Sequence, residues 1–182
     1  EPPLRICSMV RHTPPFGGIP GGENVAKHLP TRTMADVKEP LVLFLIGMRI
    51  NTFWRVWEWL PSFLAMGPMI VELYKNPELG FLSARTEMAG RTITVIQYWK
   101  SFEALEAYAA NSERKHRPAW TAFYKRATSG TGAVGIYHET YVIRPGEVES
   151  LYVDMPSGFG LGGAVGSVPV GPRTESARER KG

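Results

Sequence analysis

The stretch Leu41-Val-Leu-Phe-Leu-Ile-Gly-Met48, followed at once by Arg49-Ile50-Asn51-Thr52, decides how the rest of the chain is read. Eight apolar residues in a row are too few to span a bilayer as a helix. They suit a strand buried on both faces. Asn51 and Thr52 then offer side-chain oxygens for the orphan N–H groups of a first turn, so a helix is expected to begin there.

That helix is read over residues 53–74. Trp54, Trp57, Leu60 and Leu64 recur at helical spacing, and so do Phe53, Val56 and Phe63, leaving little polar face beyond Arg55, Glu58 and Ser62. A helix this apolar is expected to be buried on more than one side. A sheet and a partner are the expected cover, with a membrane surface as the alternative, which fits less well because interfacial helices usually carry a basic polar face. Pro61 and Pro68 should kink or split it, since each removes an N–H and crowds the preceding turn. Asn76-Pro77 ends it.

Further on, 81–88 and 92–99 read as β-branched strands joined at Ala89-Gly90 into a hairpin. Ser101 opens a second helix, with Phe102, Leu105, Tyr108, Ala109 and Ser112 on one face and Glu103 and Glu106 pointing away. Pro118 interrupts it and 119–126 continues it. Residues 134–143 and 150–155 read as strands. The order is β-α-β-β-α-β with one extra strand, the ferredoxin-like α+β plan. Residues 1–40, with PPFGGIPGG at 14–22, read as a flexible N-terminal arm, 41–155 as the domain, and 156–182 as a Gly-rich, then charged, disordered C-terminal tail.

The net charge of +4 sits outside the domain. Residues 1–38 carry five Lys/Arg against three Asp/Glu, residues 173–182 four against two, and 39–172 twelve of each. Nucleic-acid binding needs clustered cations to displace phosphate counterions, so no nucleic-acid partner is expected. Cys7 is the only cysteine, which rules out an intrachain disulfide and a thiolate metal cluster. A reducing cytoplasm is the expected location. HExxH, CxxC, Walker and GxSxG patterns are absent. GFGLGG at 158–163 reads as a linker and not as a dinucleotide loop, with no helix expected after it.

Two histidines remain as candidates for chemistry. His116 lies eleven residues after Leu105, close to three helical turns, and so shares the face of Leu105, Tyr108 and Ser112, which Trp120 continues. His138 shares a strand face with Val134, Ile136, Thr140 and Val142, while Glu139 points the other way. Either ring is expected to be a structural hydrogen-bonding group or a general base near neutral pH. Arg49 and Asn51, at the end of the first strand, are candidates for holding an anionic oxygen, with a surface salt bridge and a helix cap as their alternatives. Tyr98, Trp99, Tyr108 and Trp120 are candidates for lining a flat hydrophobic ligand, or are plain core.

Five blocks carry a family resemblance: FLIGMRIN at 44–51, KNPELGFL at 75–82, QYWKSFEALEAYA at 97–109, HRPAW at 116–120 and IYHETY at 136–141. They resemble a family of monooxygenase-like proteins that includes the small fungal monooxygenase of the fumagillin pathway, within the antibiotic-biosynthesis-monooxygenase superfamily. The resemblance implies a homodimer of ferredoxin-like subunits whose sheets form an α+β barrel, with a hydrophobic pocket between sheet and helices. It implies an oxygenase acting on an aromatic or polyketide-like molecule with O2 and no cofactor. In that chemistry a base, His138 or His116, ionises an acidic substrate in a dry pocket. Other superfamily members bind haem, using an Asn on the first strand, a Trp on the second helix and a His as iron ligand. Asn51 and His116 stand at comparable places, but Tyr108 replaces the Trp and the spacing to His116 is shorter. Haem held by His116 is therefore the alternative the resemblance implies, without haem degradation. A non-catalytic ligand-binding or assembly module is the third expectation.

Overall fold

The computed structural model describes residues 32–110 and 131–181. In chain order its elements are β1 (Thr33–Ala35), β2 (Leu41–Ile50), α1 (Val56–Lys75), β3 (Phe81–Ala89), β4 (Thr92–Trp99), α2 (Phe102–Ala110), β5 (Val134–Ile143), α3 (Gly160–Val165), β6 (Ser167–Pro169) and α4 (Ala177–Lys181). Four strands form one antiparallel sheet in the order β3-β4-β2-β5, and the first run of the sequence is a central strand of it. This is the ferredoxin-like arrangement expected from the element order.

β2 has a strand on each edge and packed side chains on each face, which is why its sequence is apolar without alternation. Val42, Phe44, Ile46, Met48 and Ile50 face the helices, level with Trp99, Gln97, Val95 and Ile93 of β4 and with Val142, Thr140, His138 and Ile136 of β5. On this face Leu73 of α1 and Leu105 of α2 pack on Val42, Phe81 and Trp99, while Trp59 and Phe63 pack on Met48, Ile50 and Ile93. Leu41, Leu43, Leu45, Gly47 and Arg49 face the other way. Gly47 is needed there: a Cβ would overlap the ring of Tyr137, which lies across β2 to reach the Thr94 hydroxyl.

The helices differ in detail from the sequence reading. α1 begins at Val56, later than expected, and has no side-chain cap. The Asn51 amide donates instead to the carbonyl of Gly132 at 2.9 Å. Pro61 and Pro68 lie inside one continuous helix. The carbonyls they leave unbonded belong to Trp57 and Leu64, residues that are exposed, so water can take them. The inward stripe is Trp59, Phe63, Met66, Ile70 and Leu73, whereas Trp54, Trp57 and Leu64 are exposed in the single chain. α2 starts as expected, with the Ser101 hydroxyl accepting from the N–H of Ala104 at 3.2 Å.

The described residues on both flanks of the domain are built into it, whereas residues 1–31 of the expected arm lie outside the described residues. β1 pairs with β6, Thr33 bridges to Tyr152, and the expected strand over 150–155 is reduced to that bridge. α3 and its neighbours cover the second face of the sheet at one end, where Leu161 packs with Ala35, Leu41 and Tyr98. Residues 156–181 are thus not a disordered tail, and GFGLGG is not a linker but enters α3. Glycine there permits close packing: a Cβ on Gly162 would press on Ser167 Oγ and stand 3.1 Å from the Tyr152 ring, and the N–H of Gly162 donates to Tyr152 Oη at 3.1 Å. Arg180 fastens the end of the chain through Glu149 Oε1 and the carbonyls of Thr174 and Glu175. Leu161→Ala is expected to cost about 2 kcal/mol in a urea melt, the low end for a buried leucine because short α3 can settle into the gap. A disordered tail would show no change.

Candidate functional site

Between the sheet and its two helices lies a cavity of about 240 Å³. α1 contributes Met66, Met69, Ile70 and Leu73, and α2 contributes Phe102, Leu105, Tyr108 and Ala109. The floor is Phe44 and Ile46 of β2, with Gln97 and Trp99 on one side and His138 and Thr140 on the other. Among the described residues the walls are apolar apart from Gln97, Thr140, His138 and Glu106, an arrangement suited to a hydrophobic ligand oriented by a few polar groups. The methionines and their unbranched side chains can adapt to its outline.

Trp99 closes the inner end. It is fully buried, meets the Phe81 ring edge-on at 5.4 Å and the Tyr108 ring at 5.4 Å, and donates from Nε1 to Gln97 Oε1 at 2.9 Å. His138 stands at the opposite end on the edge strand β5, exposed to solvent, its ring 6.0 Å from that of Phe44. Gln97 and Thr140 both pair with Phe44 from opposite edges of β2, so their backbones stand about 10 Å apart across the floor. Glu106, expected to point away, borders the rim.

The candidate residues are therefore only partly brought together. His138, Trp99 and Tyr108 line the cavity. Arg49 does not: it lies on the opposite face of the sheet, exposed, with its guanidinium 3.4 Å from Thr92 Oγ1. Asn51 is exposed beyond the strand end and is engaged by the Gly132 carbonyl and, through its own carbonyl, by Arg91. Neither helps His138 to hold an oxygen. Tyr98 is also on the far face, packed under α3. His116 and Trp120 lie outside the described residues. Gln97 was missed by the sequence reading, although a glutamine in the inward series Ile93, Val95, Gln97, Trp99 is a detectable exception on an apolar face. Among the described residues, no group of three His, Cys, Asp or Glu side chains is placed to hold a metal ion, and no helix is long and apolar enough to cross a membrane.

Burial raises the phenol of Tyr98 above its ordinary value of 10.0, with the neighbouring Tyr152 adding to the rise and Arg85 opposing it. A group raised on folding stabilises fully below its unfolded value and loses that contribution as pH climbs through the folded one. Stability is expected to fall above pH about 10, and Tyr98→Phe to flatten that fall, read as urea midpoints across the alkaline range.

The model of the Monooxygenase af470-like family matches residues 41–161, the whole sheet with both of its helices and the start of α3. The chain belongs to this family. Monooxygenase af470 of Aspergillus fumigatus is 30% identical over 127 residues, which cover 64% of this chain and 44% of that protein. The chain thus spans less than half the length of this family relative. Among solved structures, SnoaB, a cofactor-independent oxygenase from Streptomyces nogalater, has a TM-score of 0.41 and 13% identity, covering 57% of this chain and 93% of its own. A dimeric ferredoxin-like protein from Jannaschia sp. CCS1 has a TM-score of 0.37 and 13% identity, covering 54% and 97%.

Proposed function

We propose that this chain is a small-molecule monooxygenase that holds a hydrophobic, flat substrate between the sheet and α1 and α2 and oxidises it with O2. One observation carries the reading: an apolar cavity closed by Trp99 has a titratable ring, His138, at its open end. Membership of a monooxygenase-like family supports it. His138 takes a proton from an activated CH2 of the substrate, and the carbanion meets O2 where the apolar walls exclude water. One oxygen atom ends in the new carbonyl and the other leaves as water with the two hydrogens of the CH2. The substrate supplies all the electrons, so this route needs no external reductant or cofactor. The working unit is proposed to be a homodimer, which would cover apolar side chains that the single chain leaves exposed, such as Tyr141 and Trp57.

The test is oxygen uptake with a panel of fused-ring compounds bearing an acidic CH2, on protein whose mass is followed by light scattering. Turnover that falls in His138→Ala supports the assignment, and unchanged turnover removes it. Hemin added to the same protein reads the rival: a Soret band would direct attention to His116 as an iron ligand.

A further inference from the structure

Trp99 and Gln97 fix one another's chemistry. The indole N–H can only donate, so the oxygen of the Gln97 amide must be the atom that faces it, at 2.9 Å. The amide nitrogen is thereby turned the other way, and no other hydrogen bond engages the Gln97 side chain among the described residues. Gln97 lines the cavity and is only 7% exposed. The nitrogen is not sealed off from the cavity: it keeps accessible surface where Gln97 lines the wall, and water or a ligand oxygen can accept from it there. Thr140 stands across the floor, with Phe44 between them.

We propose that the Gln97 amide, held in one orientation by Trp99, is a subsite for an acceptor oxygen on the ligand: a ketone, quinone or phenolate oxygen at the inner end of a flat apolar body. This rests on the reading of the cavity as a ligand site. The ligand lies over Phe44 with that oxygen on Gln97 Nε2 and its far end toward Thr140 and His138. The subsite selects against ligands that present a hydrogen-bond donor or plain hydrocarbon at the same place, because either leaves the amide unsatisfied.

Fluorenone and fluorene differ by one carbonyl and serve as matched probes. By calorimetry the wild-type protein is expected to bind fluorenone roughly three- to tenfold more tightly than fluorene, the worth of one hydrogen bond. The infrared carbonyl stretch of bound fluorenone is expected to move to lower frequency. Gln97→Met, which keeps the length and removes the amide, should abolish both the preference and the shift, and should bind fluorene more tightly than the wild type because no amide is left unsatisfied beside it. Trp99→Phe, which frees the amide to rotate, should weaken both. Equal affinity for the two probes with an unshifted carbonyl overturns the subsite and leaves the cavity reading intact. Binding of neither probe overturns both. The infrared measurement on wild-type protein decides the matter even if the variants do not fold.

Discussion

Trp99→Ala is expected to lower the stability of the fold by about 3–5 kcal/mol, a large part of the roughly 5–15 kcal/mol typical of a domain. Trp99 is the point where the sheet and both helices meet: it packs with Val42, Phe81, Leu73 and Leu105 and touches Tyr108. Removing the indole leaves a cavity, takes away an edge-on ring contact with Phe81 and leaves the Gln97 oxygen without its donor. These losses fall on one place and are coupled, so the backbone cannot settle around each separately. Trp99→Phe keeps most of the ring and should lose clearly less. Urea denaturation midpoints for the two variants check the ordering. A loss below about 1 kcal/mol for the alanine variant would mean that this end of the cavity is not close-packed.

His138→Ala is expected to lower kcat/KM by about 10²- to 10⁴-fold, the usual contribution of a general base. Its effect on stability should be within about 0.5 kcal/mol, because the ring is exposed on an edge strand. The combination separates a chemical role from a structural one. Oxygen uptake measures the first and a thermal melt the second. A large fall in melting temperature with unchanged turnover would reverse the assignment.

What the sequence disclosed follows from where it has contrast. β5 alternates, so His138 could be placed on the face of Ile136 and Thr140 without a structure. The glycine turn between β3 and β4 and the serine opening α2 were equally plain. α1 is apolar on nearly every side, and its periodicity therefore singles out no stripe. Trp54, Trp57 and Leu64 read as inward as readily as Trp59, Phe63 and Ile70, and the structure exposes the first set. β2 is apolar on both faces, so its own pattern says nothing about which side Arg49 takes. That depends on the long-range pairing of Ile46 with His138. The C-terminal glycines read as disorder because composition does not distinguish a loose chain from one that must approach Tyr152 closely. Gln97 was visible as a polar exception, but its meaning lies in the bond from Trp99, two residues away on the same face.

Among the described residues β5 is hydrogen-bonded along one edge only, to β2, and it carries the open wall of the cavity. Peeling that ladder back would leave β3, β4, β2 and the residues around Trp99 in place. In amide exchange the strand 134–143 therefore belongs with the fast, locally opening part of the molecule, and β2 and β4 with the slow part. A ligand reaching from Gln97 to Thr140 would bind the outer strand to the inner ones. Occupancy would then register as slowed exchange along β5, at amides the ligand never touches.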